Sequence, residues 1–133
     1  MSKVFKTPLT PISWGELIDK ITILEIKKLK IISPEAAANI FTELQYLEKI
    51  VFASNGLAEL ISDLKSQLSE VNQKLWQVED DIRDKESRKE FDQIFIDLAR
   101  MVYQLNDKRS KLKRDINLRL NSEIQEVKSY GDF

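Results

Sequence analysis

Two lines of polar and aromatic residues stand out in the second half of the chain. Asn72, Trp76, Glu79, Arg83 and Glu86 follow one another at alternating steps of four and three. Ala99, Tyr103, Asn106, Ser110, Lys113 and Asn117 repeat the same spacing. Residues three and four apart lie on one face of a helix, so each line is one edge of a helix. Indole and phenol rings offer flat apolar surfaces, while guanidinium, amide and carboxylate groups give directed hydrogen bonds. Trp76, Glu79, Arg83, Tyr103, Asn106 and Lys113 are therefore the candidate lining of a groove for a small anionic or sugar-like ligand. The plainer reading is structural. Glu79 with Arg83, and Arg83 with Glu86, are ordinary helical ion-pair spacings worth about 0.2–0.5 kcal/mol each, and a tryptophan more often serves a core or interface.

The sequence contains no His and no Cys. Imidazole bases, thiolate nucleophiles, serine–histidine triads, disulfides and soft metal sites are thereby excluded. An enzyme built on this chain would have to use carboxylates, Lys, Tyr and Arg. In that alternative Arg83, Arg109 and Lys113 would bind an anionic or sugar-like metabolite, Glu79 or Glu25 would exchange protons, and Trp76 with Tyr103 would wall the site. No set of residues singles itself out as catalytic. The carboxylate pairs Glu16 with Asp19, Asp81 with Asp84 and Glu123 with Glu126 have a spacing that can serve Mg²⁺. Most of them fall on the solvent side of their own helix, so neither a metal site nor a cofactor is expected.

Helices must position all of these groups. With 133 residues, three Gly and three Pro, the chain is expected to be a single all-α domain, 1–133. Residues 1–12, with Pro8 and Pro11, read as an extended arm. Ser13 and Glu16 form a capping-box pattern that opens helix 13–32, with Ile12 and Leu17 as a hydrophobic staple. Ser33-Pro34 opens helix 34–53, and Ser54-Asn55-Gly56 ends it. Leu57, Ile61, Leu64, Leu68, Val71, Leu75, Val78 and Ile82 then form a heptad seam over helix 57–86. A second seam follows in helix 91–127. These elements predict an antiparallel up-down-up-down bundle whose last two helices form a long coiled-coil-like hairpin.

Two charges fall on apolar faces, Glu25 in the first helix and Arg109 in the last. Counting along the helices brings them level, which predicts a buried ion pair between them. The long hairpin is expected to outrun the first two helices and to leave Val78, Ile82, Phe91, Phe95 and Leu98 uncovered. A homodimer through that stripe would bury it. Formal net charge is −1, and the basic run at 108–114 is spread round its helix, so no nucleic-acid partner is expected. No run spans a membrane and no signal-peptide core is present, which makes a cytoplasmic location the expectation.

Three segments and a tail carry a likeness: GELIDKITILEIK at 15–27, NQKLWQVEDDIRDKE at 72–86, FIDLARMVYQLNDKRSKLKRDIN at 95–117, and KSY at 128–130. Together they resemble a family of short bacterial and phage proteins classed as a domain of unknown function. The resemblance implies a possible setting among cell-surface polysaccharide genes. It carries no catalytic residues over to this chain.

Overall fold

The computed structural model describes residues 2–130, which form five α-helices and no strand. Helix α1 spans Trp14–Lys30, and the Ser13 hydroxyl accepts from the Glu16 backbone N–H at 3.1 Å. This is half of the expected capping box. The Glu16 carboxylate turns away from the cap and bonds Lys113 at 2.8 Å. Helix α2 spans Pro34–Ala53, capped by Ser33 with Pro34 in the first turn, where its missing N–H has no partner to lose.

The seam helix expected over 57–86 is broken. Gly56 takes a left-handed φ of 80°, a single turn α3 follows over Leu57–Leu60, and α4 runs from Ser62 to Ser87. The break falls at Ile61, whose side chain is almost wholly buried. Helix α5 spans Gln93–Arg119, so it starts two residues late and ends eight residues early. Asp92 caps its start by accepting from Phe95 N–H. At its end Asn121 adopts a φ of 51°, Ser122 N–H donates to Asn117 C=O, and Asn121 N–H donates to Leu118 C=O. That is a Schellman closure, which turns the chain back before residue 127.

Helix α1 is the centre of the assembly: α2, α4 and α5 all pack against it, while α4 and α5 make the most extensive pair. Ion pairs tie α4 to α5 at both ends, Asp63 with Arg119 and Lys85 with Asp92. Ile18, Leu68 and Ile116, from three different helices, are fully buried where these helices meet.

The register corrects two expectations. Arg109 meets Asp19, six residues before Glu25 and so roughly 9 Å along the axis at 1.5 Å per residue. Glu25 instead contacts Lys65 at 3.1 Å across a half-exposed surface. Its Oε1 is shielded from water and, among the described residues, holds only this ion contact. No slide along α4 accounts for both contacts, because Asn72, which bonds Asp19, lies beyond Leu68 and Lys65 lies before it. Along its length α1 passes from α5, at Gly15 with Asn117 and Glu16 with Lys113, through Asp19, which reaches both helices, to α4 at Glu25 with Lys65. It therefore runs obliquely across the α4–α5 pair. Val78 is covered at 4% exposure, within a core against which Leu98 and Val102 pack.

Candidate functional site

The polar centre begins with Asp19, only 1% exposed although it carries a carboxylate. Arg109 grips it with two bonds, Nε to Oδ1 at 2.9 Å and Nη2 to Oδ2 at 2.5 Å. Asn72 Nδ2 donates to Asp19 Oδ1 and to Thr22 Oγ1, both at 2.9 Å, and the Thr22 hydroxyl donates to the Asp19 carbonyl. Three helices thus converge on one carboxylate. The hydrogen bond from Arg109 to Asp19 holds the guanidinium's pKa above its usual value, outweighing burial, so it stays charged at any working pH.

Arg109 is only partly enclosed, and its outer side opens into a groove of about 350 Å³. Ile23, Ile26, Leu75 and Trp76 give the groove its apolar wall, and Asn72, Glu79, Asp80, Arg83, Asn106 and Arg109 its polar one. The volume lies near the lower end of small-molecule pockets, roughly 300–1,000 Å³. Asn106 Oδ1 accepts a long bond of 3.5 Å from Arg109 Nη1. At the rim Glu79 and Arg83 pair at 3.3 Å, with the Arg83 side chain 76% exposed. The side chains of Trp76 and Asp80 make no hydrogen bond or ion pair with other described residues.

Four of the six residues expected to line a groove are brought together here: Trp76, Glu79, Arg83 and Asn106. Tyr103 and Lys113 are not part of the lining. Lys113 faces α1 and the C-terminal tail, bonding Glu16 at 2.8 Å and Glu126 at 2.9 Å. Burial opposes its charge, but the hydrogen bonds to Glu16 and Glu126 prevail and raise its pKa. Glu126 is correspondingly lowered by its bond to Lys113. The tail is fastened twice more, by Lys128 to Asp107 and by Ser122, whose hydroxyl accepts from Trp14 N–H and donates to Ile124 C=O.

Sequence reasoning missed Asp19 as the anchor and Asn117 as a docking residue. Asn117 Oδ1 accepts from Gly15 N–H at 2.7 Å, joining the end of α5 to the start of α1. A Cβ on Gly15 would collide with the Lys113 carbonyl, so the close approach of these helices requires glycine. Asp19 had been visible only as half of a carboxylate pair with Glu16, and each of the two is taken by a cation from α5. No cluster of three or more metal-ligating side chains exists among the described residues. None of the helices is long and apolar enough to cross a membrane.

Comparison with curated proteins and with solved structures finds no match to the chain. Residues 9–132, nearly the whole length, match a family model, so the chain belongs to the family of unknown function DUF6165.

Proposed function

We propose that the protein is a small-ligand-binding module whose ligand sits in the groove beside Trp76. The observation that carries this reading is the contrast within the groove between fixed and unused groups. Arg109 is immobilised by a buried carboxylate, while the indole N–H of Trp76 and the carboxylate of Asp80 have no partner among the described residues. A preorganised donor beside free polar groups and a flat apolar wall is what a binding site needs. A cytoplasmic location and the cell-surface polysaccharide setting implied by the sequence resemblance go with this reading. The test is a thermal-shift screen against small polar metabolites, repeated with Trp76→Ala. Ligands of the groove raise the melting temperature of the native chain and not of the variant. A shift that survives Trp76→Ala places the ligand elsewhere.

Self-association accompanies this reading, on an up-down-up-down bundle whose long helix pair leads with its connecting end. Phe91 and Ile94 there are 58% and 57% exposed, and Phe91 stacks edge-on against Phe95 at 5.2 Å. With Ile82 and Leu98 half-buried nearby in sequence, this end offers an apolar surface that a second copy would cover. Light scattering at micromolar concentration should give a dimer that Phe91→Asp converts to monomer. A monomeric native chain overturns it.

A further inference from the structure

We infer that the groove takes a neutral, polyhydroxylated ring in preference to an anion or a cation, an assignment that rests on the binding-module reading above. Charge comes first. Arg109 is neutralised by Asp19 and Arg83 by Glu79, which leaves Asp80 as the one charge of the lining with no ion-pair partner among the described residues. An anionic ligand would meet no free cation and would face two carboxylates, Glu79 and Asp80. Desolvating it there would be unfavourable.

Hydrogen-bonding capacity then separates neutral from cationic ligands. The unused donors are the Trp76 indole N–H, the Asn106 Nδ2 hydrogens and the guanidinium hydrogens of Arg109 that Asp19 and Asn106 do not take. The unused acceptors are the Asp80 carboxylate and the outer oxygen of Glu79. A small organic cation such as choline would answer the Asp80 charge, but with one hydroxyl it would leave most of the Trp76, Asn106 and Arg109 donors without an acceptor. A hydroxyl both donates and accepts. A ring bearing several hydroxyls could address both sets while laying its C–H face on Trp76, the flat part of the apolar wall.

The experiment is a titration followed through tryptophan indole signals in ¹⁵N-labelled full-length protein, with Trp76→Phe identifying which of the two signals is Trp76. Methyl glucoside, N-acetylglucosamine and a neutral disaccharide are compared with adenosine monophosphate and with choline. The neutral sugars should move the Trp76 signal in a saturable way, and Asp80→Asn should weaken them by about tenfold or more, as loss of a hydrogen bond to a charged acceptor does. Saturable binding of adenosine monophosphate or choline at Trp76, with no response to sugars, overturns the assignment and leaves the groove standing. No response to any of the five overturns both.

Discussion

Two ion pairs occupy the same groove and teach opposite lessons. Asp19 with Arg109 and Glu79 with Arg83 both join a carboxylate to a guanidinium, at 2.5 Å and 3.3 Å. The first links two helices, receives a third bond from Asn72, and encloses its carboxylate almost completely. The second lies within a single helix with its guanidinium largely in water. Burial makes the first pair expensive to break, because either survivor is left facing a cost that water no longer relieves. Solvent makes the second nearly neutral, since water replaces whatever is lost. The same chemistry therefore anchors the fold at the bottom of the groove and stays adaptable at its rim.

Breaking the buried pair gives the largest expected effects, and they should be unequal. Arg109→Met strands a carboxylate that has no access to water, and should destabilise by about 3–5 kcal/mol in chemical denaturation. Asp19→Asn leaves a guanidinium already 30% exposed, which can turn outward, so about 1.5–3 kcal/mol is expected. Equal losses would mean that Asp19 finds water when alone.

Gly15→Ala tests the helix contact that sets this register. Alanine in an exposed helix normally gains up to about 1 kcal/mol over glycine. Here its methyl meets a backbone carbonyl that cannot step aside, and a loss of roughly 1–3 kcal/mol should appear in the unfolding midpoint. A gain would show that α1 and α5 are free to separate.

A smaller, pH-dependent effect belongs to the tail. Glu126 has a folded pKa below its ordinary 4.5, so its bond to Lys113 stabilises the tail above that pH and is lost as pH falls through the folded value. Lys113 is raised above 10.5, so its contribution is complete below that pH and disappears only at higher alkalinity. Amide exchange over residues 122–130 should accelerate below about pH 4.5 while the core stays protected. Glu126→Gln should abolish most of that acid step.

The smallest effect is at the rim. Arg83→Gln should change stability by no more than about 0.5 kcal/mol, and its interest lies in altered ligand binding.

The division between anchor and rim was half legible in the sequence. Trp76, Glu79, Arg83 and Asn106 could be found because their four-three spacing is a local property of single helices. Arg109 was recognisable as a charge on an apolar face, but its partner was not. That choice depends on how α1 crosses α4 and α5, a tertiary property that no local spacing announces. The end of α5 was missed for a related reason. Asn121 can adopt a left-handed conformation, yet the seam continued to Leu120 and residues 121–127 still suit a helix. The structure shows that Asn117 and Ser122 are engaged in holding the start of α1. Lys113 kept its predicted helical edge but faces Glu16 and Glu126, on the side of α5 that closes over α1.

Double-mutant cycles on the two pairs, run side by side in one denaturant series, test the central contrast most directly. Arg109→Met with Asp19→Asn should show a coupling of roughly 2–3 kcal/mol, and Arg83→Gln with Glu79→Gln less than about 0.5 kcal/mol. Couplings of equal size would contradict the account, since the groove would then have no fixed floor to set against a free rim.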